Sequence, residues 1–146
     1  MAARRTPSGT SAARVFLARH GRGVAPAEAA ALYVELGWGT PRDYSAARMK
    51  RSLAGCDFVA YARNGVGELV GIARALTDGA LDTKILDMIV VPEYQRQGIG
   101  IAMMRKIEAA AKGTAVYFET EPKNFGFAAK CGYRRRKGLT VFVKKV

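Results

Sequence analysis

The stretch that decides the fold is Ile85–Ile101, which reads ILDMIVVPEYQRQGIGI. Its apolar first half has the composition of a buried β-strand, and Pro92 ends that strand because proline cannot donate to a sheet ladder. Gly98 and Gly100 then stand where a helix begins, and glycine permits the positive φ angles and the close backbone approach that a tight turn needs. The free N–H groups of such a turn and of the following helix bind anions, so a diphosphate is the expected ligand of Gln95–Ile101.

These residues do not match the other common phosphate-binding loops. The stretch lacks the Lys-Ser/Thr pair that ends a Walker loop, and its glycines do not give the G-x-G-x-x-G spacing of dinucleotide-binding folds. Arg96 supplies a mobile positive charge at the rim of the loop. The glycine pair alone is equally typical of an ordinary strand-to-helix connection, so the surrounding residues must separate these two interpretations.

The elements on either side of the loop predict a single α/β domain. Apolar residues alternate in strand-like segments before residue 92, and Asn64-Gly65 favours a hairpin. Asp43 is a suitable N-cap for a second helix, whose apolar side chains recur at helical spacing. We expect a mixed, mostly antiparallel sheet of about seven strands flanked by about four helices. The strands are predicted at 13–18, 58–62, 68–76, 84–91, 115–120, 133–136 and 140–144, and the helices at 26–36, 43–53, 98–112 and 123–130.

The composition of the 146 residues is typical of a globular domain. The longest apolar run, Ala29–Val34, is far shorter than the roughly 20 residues of a membrane helix, and no secretory signal is expected. Residues 1–12 are expected to form a flexible basic tail, and residues 13–146 the domain. Cys56 and Cys131 match no zinc motif, and with a single histidine we expect no metal site. Reduced cysteines favour a cytoplasmic location.

The charge of the chain points to an anionic partner. Its formal net charge is +12, with 24 Lys and Arg against 12 Asp and Glu. The excess is concentrated from residue 95 onward, where twelve basic residues stand against three acidic ones. A nucleotide cofactor, a nucleic acid or an acidic surface can each supply the opposite charge.

Two separate motifs resemble the GNAT superfamily of acyl-CoA N-acetyltransferases. Gln95, Gly98 and Gly100 match the family's Gln/Arg-x-x-Gly-x-Gly/Ala pyrophosphate loop, and Ile85–Val91 looks like the fourth strand that precedes it. Gly126–Tyr133, which reads GFAAKCGY, is similar to the family's later Phe-Tyr-Glu-Lys-Leu-Gly-Phe motif. The order and spacing of the two motifs are more specific than either motif alone. Within this family, the sequence loosely resembles small bacterial and plant plastid members the most.

The resemblance implies an acetyl-CoA-dependent N-acetyltransferase in which an amine attacks the acetyl thioester directly. In this family the fourth and fifth strands splay apart, and pantetheine enters the gap and pairs with the fourth strand. A backbone N–H near Ile89 or Val90 is then expected to stabilise the thioester oxygen. The cofactor-binding residues that the resemblance implies are Ile89, Val90, Val91, Gln95, Arg96, Gln97, Gly98, Ile99, Gly100, Ile101, Asn124, Phe127 and Lys130.

Asp87 is the first candidate for the catalytic base that takes the proton of the amine, because it interrupts an apolar strand. An ion pair with Arg74 or Lys84 explains this carboxylate equally well. Glu119 and Glu121 are second candidates, although a solvated strand end accounts for both of them more simply.

Ala128 stands where the family usually has an acid tyrosine, so the group that protonates departing coenzyme A is missing from its usual position. Tyr117, Tyr133 or water can replace it, although both tyrosines are more typical of a core. Trp38 and Tyr44 lie in the region that walls the acceptor site in this family. Either can stack on an aromatic amine or simply pack against the core.

Two other interpretations remain open. A nucleic-acid-binding module is favoured by the net charge and by Arg134–Lys137, although no RNA-recognition, KH or zinc-finger pattern accompanies them. An acyl-CoA sensor would use the same loop without turnover. The resemblance does not determine the acceptor, which is expected to be a small-molecule or peptide amine. It also leaves open whether the protein forms a homodimer.

Overall fold

A five-stranded mixed sheet organises the protein in the computed structural model, which describes residues 12–146. The strands lie in sequence order across the sheet; the first four pair antiparallel, and β4 pairs with β5 in parallel. The predicted mixed α/β fold is therefore confirmed. The strands are β1 (Arg14–Ala18), β2 (Phe58–Arg63), β3 (Leu69–Thr77), β4 (Asp82–Val90) and β5 (Ala115–Tyr117).

Four α-helices flank this sheet, as the sequence predicts. Pro26 occupies the first turn of α1, where a missing backbone N–H costs nothing. Short 3-10 turns connect other elements, and one of them, Pro92–Tyr94, follows β4 directly. The helices are α1 (Pro26–Glu35), α2 (Ala46–Gly55), α3 (Ile99–Ala110) and α4 (Phe125–Lys130).

The two faces of the sheet carry different helices. Arg74 on β3 points toward α1 and α2, since its guanidinium donates to Ser52 and lies over the ring of Tyr33. Gly71 on the same strand points to the other face, where a Cβ would lie 3.3 Å from the terminal methyl of Met103 in α3. Strand residues an odd number apart face opposite sides. Helices α1 and α2 therefore cover one face, and α3 covers the other.

The N-terminus of α2 differs from the sequence prediction. Ser45 is the N-cap, and its Oγ accepts from the N–H of Arg48 at 3.3 Å. The prediction of Asp43 as this cap is wrong. Its carboxylate instead accepts from the N–H of Thr40 at 3.1 Å and from the hydroxyl of Thr40 at 2.7 Å, which closes the turn before the helix. The competing local hydrogen bond to Thr40 explains why the helix begins later.

Strands β4 and β5 diverge after a short paired region. Only Asp82, Thr83 and Lys84 pair with β5, whereas β4 continues to Val90. The gap between 85–90 of β4 and the chain that follows Tyr117 is called the wedge below. One edge of β4 is thus left without a strand partner, as the predicted splaying of these strands requires.

The two strands predicted at 133–136 and 140–144 are wrong. The described chain contains no strand after Tyr117, so the sheet ends with β5. Alternation in 140–144 suggests a buried face, but Phe142 and Val143 are 92% and 85% exposed and reach no core. Arg134–Lys137 are also all exposed, in keeping with the repulsion that neighbouring like charges would meet in a strand pair.

The predicted flexible tail covers residues 1–12, of which the structure describes only residue 12. Among the described residues, every helix is too short or too polar to cross a bilayer.

Candidate functional site

The loop between β4 and α3 presents free backbone N–H groups to solvent. Gly98 is the N-cap of α3 with φ of 81°, and Arg96 has φ of 61°, a left-handed conformation that is uncommon for a residue with a side chain. Within the described chain, the N–H groups of Arg96, Gly98 and Ile99 donate to no protein acceptor, and that of Gln97 closes only the turn at Gln95 and Arg96. The first turn of α3 adds its positive dipole end. The segment Gln95–Ile101, called the cradle below, therefore has the form of an anion site.

Two glutamine side chains of the cradle bind backbone carbonyls rather than pointing outward. The amide of Gln95 donates to the carbonyl of Val90 at 2.9 Å, and the amide of Gln97 donates to the carbonyl of Glu93 at 3.1 Å. Both bonds lie within the connection from β4 to α3. These glutamines therefore stabilise the conformation of the loop, and the backbone N–H groups of the loop remain available to bind a ligand.

Gly100 allows α4 to approach the first turn of α3. A Cβ at this position would lie 3.0 Å from a ring carbon of Phe127 and 3.4 Å from the sulfur of Met88. Phe127 thus closes the cradle on one side. The other two residues of this region that are expected to bind the cofactor are exposed: Asn124, the N-cap of α4, donates to the hydroxyl of Thr120 at 3.0 Å, and Lys130 lies at the end of the helix.

The register of the sheet decides which backbone groups of β4 face the wedge. Val91 donates its N–H to the carbonyl of Val70 on β3 at 2.9 Å, and successive strand residues turn their backbone groups to opposite sides. Ile89 therefore faces β3, and the N–H and C=O of Val90 and Met88 face the wedge. Of the two N–H groups expected near the thioester, that of Val90 points into the gap.

Asp87 is held in a nearly buried cluster on the face of α1 and α2. Its carboxylate is ion-paired with Arg74 and accepts from the hydroxyl of Tyr33 at 2.7 Å. The side chains of Asp87 and Arg74 are only 6% and 15% exposed. The same guanidinium donates to Ser52 of α2. The ion pair with Arg74, one of the two partners suggested by the sequence, is therefore present, while Lys84 pairs with Glu119 at 2.5 Å.

Electrostatics keep Tyr33 and Arg74 in one protonation state near neutral pH. Burial, and then the charge of Asp87, raise the pKa of Tyr33. Burial would lower the pKa of Arg74, but the hydrogen bond to Asp87 and the neighbouring Tyr33 outweigh it and raise that pKa. Tyr33 therefore stays a hydrogen-bond donor, and Arg74 stays a cation.

A cavity of about 440 Å³ opens on the outer side of this cluster. Tyr33 forms part of its support, since its ring stacks on Tyr44 with centroids 4.8 Å apart and meets Trp38 edge-on at 5.8 Å. Sequence reasoning singled out the two aromatics but missed the polar lining, because α2 and the C-terminal segment meet only in the fold. The cavity, called the aromatic pocket below, is lined by Trp38, Tyr44, Arg48, Arg51, Ser52 and Lys145, among others.

The remaining candidate acid–base groups are hydrogen-bonded, ion-paired or exposed. Tyr133 donates to Glu108 at 3.0 Å, and burial together with this hydrogen bond raises the pKa of its hydroxyl. Glu121 pairs with Lys123 at 2.8 Å. Tyr117, on β5, is 49% exposed.

Comparison with known proteins agrees with this geometry. The family model described as an acetyltransferase (GNAT) domain matches residues 54–135. A 43-residue stretch is 46% identical to the Arabidopsis thaliana protein GCN5-related N-acetyltransferase 2, chloroplastic, and covers 30% of this chain but only 17% of that protein.

Solved structures share the fold over nearly the whole chain. A GNAT-family acetyltransferase from Streptococcus pneumoniae is 25% identical with a TM-score of 0.73, covering 92% of this chain and 100% of its own. An aminoglycoside N-acetyltransferase in complex with CoA is 16% identical with a TM-score of 0.70, covering 97% and 100%. A soil metagenomic aminoglycoside acetyltransferase in complex with sisomicin is 15% identical with a TM-score of 0.70, covering 92% and 96%. Because the domain model matches more than half of its residues, this chain belongs to the GNAT family of acetyltransferases.

Proposed function

We propose that the protein transfers the acetyl group of acetyl-CoA to an amine. The observation that carries this proposal is the cradle at the open end of the wedge, where free N–H groups meet an unpaired strand edge. The diphosphate binds Gln95–Ile101. The pantetheine arm then lies along the β4 edge in the manner of an added strand, with Phe127 beside it.

The amine nitrogen attacks the thioester carbon, so that a C–N bond forms while the C–S bond breaks and coenzyme A leaves as the thiolate. Negative charge develops on the thioester oxygen, and the wedge-facing N–H of Val90 is the donor that stabilises it. A thiol has a pKa near about 8.5, so the thiolate leaves without an acid and takes a proton from water. This accounts for Ala128 at the usual tyrosine position and for the engagement of Tyr133 with Glu108.

In this proposal Asp87 acts by holding Arg74 and Tyr33 in place. One of its oxygens accepts from Tyr33 and from Arg74, and the other accepts from Arg74. Taking a proton from the amine would require this carboxylate to give up one of those bonds. We propose that Asp87 fixes Arg74 and Tyr33 behind the acceptor and that water carries the proton away. A direct role as the base stays the alternative prediction.

The experiment is an acetyl-transfer assay with a panel of primary amines, read both as released CoA thiol and as acetylated product by mass. We expect product from at least one amine. Stabilisation by acetyl-CoA without product from any amine would instead support the acyl-CoA sensor. Salt-sensitive RNA binding, with no effect of acetyl-CoA on stability, would support the nucleic-acid-binding module. That alternative is kept because Arg134–Lys137 form an exposed basic run.

A further inference from the structure

We propose that the acceptor is an aliphatic amine that carries an aromatic ring and a carboxylate, and that the aromatic pocket binds the ring and the carboxylate. The inference rests on the proposed acetyl transfer and adds the chemical class of the acceptor. Three features of the pocket support it: its position, its exposed aromatic surface and its unpaired cations.

The pocket is connected to β4 through two side chains, Arg74 and Asp87. Ser52 is part of its lining and accepts from Arg74, and Arg74 is ion-paired with Asp87 of β4. On the same strand, Val90 turns its N–H into the wedge. A molecule in the pocket therefore approaches β4 from the face of α1 and α2, and the cradle reaches the same strand at its end.

The aromatic side chains of the pocket are held in place by their neighbours, and they still leave ring surface exposed to solvent. Trp38 is 47% exposed although Tyr33 supports it edge-on, and Tyr44 is fixed by stacking on the other side of Tyr33. An indole ring that packed only to fill the core would be covered. Aromatic rings prefer offset or edge-to-face partners about 4.5–7 Å away. A flat ring of the acceptor is the partner that such a surface fits.

The polar lining is strongly cationic. Arg48, Arg51 and Lys145 contribute three positive charges, and in the described chain none of these side chains forms a hydrogen bond or an ion pair. The only acid of the lining, Asp43, is engaged with both donors of Thr40, and its charge interacts with Lys145 and Arg48 without forming an ion pair, so the lining keeps an excess of positive charge. A guanidinium fork matches a carboxylate with two parallel hydrogen bonds, so a carboxylate is the group that these cations recognise.

This charge also argues against the kind of acceptor named for two of the structural relatives, which are aminoglycoside acetyltransferases. A polycationic acceptor would meet three like charges here. For an amine anchored by its carboxylate, the same cations disfavour the ammonium form of the amino group and favour the neutral nucleophile. The pocket thus selects the anion and prepares the amine.

Binding can be measured at the pocket itself, because Trp38 is the single tryptophan of the chain. Its fluorescence, excited where phenylalanine does not absorb, is titrated in the presence of CoA with two matched pairs. These are phenylalanine against phenethylamine, and 4-(aminomethyl)benzoate against benzylamine. We expect at least one carboxylate to bind about tenfold or more tightly than its partner lacking the carboxylate, as a charge-assisted hydrogen bond implies. Added salt should reduce that preference.

Variants assign the effect to named cations. Arg48→Gln or Arg51→Gln should weaken the carboxylate ligand about tenfold and leave the decarboxylated partner unchanged. Lys50→Gln removes the same charge from an exposed position of α2 that lies outside the lining, and it should change neither. Equal binding of both partners in both pairs, or equal effects of all three variants, would overturn the inference.

The outcome is independent of the acetyl-transfer assay. Acetyl-CoA turnover with a preference for phenethylamine or a polyamine would leave the proposed function standing and overturn only the acceptor class. Carboxylate-selective quenching without any acetyl transfer would support the pocket and contradict the proposed reaction.

Discussion

The cradle follows β4 directly and the aromatic pocket is linked to that strand through Arg74 and Asp87, but the two sites are built in opposite ways. The cradle is seven consecutive residues, Gln95–Ile101, and it offers backbone N–H groups whose positions depend on chain geometry. The aromatic pocket takes side chains from the loop after α1, from α2 and from the C-terminal segment. Under the proposed assignment of the two sites, this difference explains how acceptors can vary while the cofactor site is kept: side chains can change without disturbing a backbone site.

The largest expected effect comes from removing Asp87, which should damage the pocket and spare the cradle. Asp87→Ala leaves Arg74 nearly buried without its counter-ion, so the free energy of unfolding should fall by about 3 kcal/mol. We expect kcat to fall while the affinity for acetyl-CoA, measured by titration, stays within a factor of about two, since the two sites share no side chain. Denaturant unfolding and steady-state kinetics measure the two effects.

The double variant Asp87→Leu, Arg74→Met is the control for stability. It replaces the ion pair with apolar side chains, so it should regain stability without regaining activity. The shape of the pH–rate profile then separates the two roles of Asp87. An Asp87→Asn enzyme that keeps its profile supports a positioning role, and loss of the acidic limb would identify Asp87 as the base.

Gly100→Ala should damage the cradle and spare the pocket. The added Cβ would lie 3.0 Å from the ring of Phe127, so this partly buried ring must shift by a few tenths of an ångström away from the first turn of α3. We expect acetyl-CoA to bind about tenfold more weakly, while quenching of Trp38 by an acceptor stays unchanged. Gly126→Ala is the matched control, because it makes the same exchange on α4 with no atom within 4 Å. Equal effects of the two exchanges would contradict the role given to the contact with Phe127.

Ala128→Tyr tests whether the reaction is limited by the lack of an acid that protonates the departing thiolate of coenzyme A. Since a thiolate leaves readily near neutral pH, we expect kcat to change by less than about tenfold. An increase of about 10²-fold, the usual contribution of a positioned acid, would show that protonation of the thiolate limits the wild-type reaction. Steady-state kinetics with saturating acetyl-CoA makes this measurement.

The smallest effect concerns an ion pair that lies outside both sites. The hydrogen bond from Arg63 is the main cause that lowers the pKa of Glu28 below its ordinary value of 4.5, although burial opposes it. A lowered folded-state pKa means that this pair stabilises the protein above pH 4.5 and ceases to do so as the pH falls through the lowered value. The pair is half-exposed, so the loss should stay under about 1 kcal/mol.

Melting curves across that pH range, compared with Glu28→Gln, check this prediction. The variant should show a flatter dependence on pH, while acetyl-CoA and acceptor binding near neutral pH should match the wild type. An identical pH dependence in the two proteins would mean that other carboxylates cause the acid instability.

The sequence predicts the backbone geometry of the cradle, because the signals for that geometry are local. Pro92 ends a strand, Gly98 permits a positive φ, and both effects act within a few residues. The cluster behind the pocket is different, since Tyr33, Arg74 and Asp87 come from three elements and meet only after the sheet forms. A lone carboxylate in an apolar strand indicates that a partner exists, but its identity requires the register that places Arg74 opposite Asp87.

The C-terminal segment shows the limit of reading periodicity alone. The alternation in 140–144 satisfies the pattern of a strand, yet a strand also needs a partner edge and a covered face. Phe142 is 92% exposed in the structure. Lys145 instead reaches the aromatic pocket, a contact that no local pattern predicts.

The most direct test of the account is a thermal melt of three proteins with and without acetyl-CoA: the wild type, Gly98→Glu and Gly79→Glu. Both glycines have φ near +80° and open space around a Cβ, so the two exchanges should cause similar strain. A ligand at one hundred times its Kd adds about 2.7 kcal/mol, which raises the Tm of the wild type by several degrees. The account predicts that Gly79→Glu keeps this shift and that Gly98→Glu loses it. Equal shifts in both variants, or no shift in the wild type at millimolar acetyl-CoA, would contradict the cradle as the cofactor site.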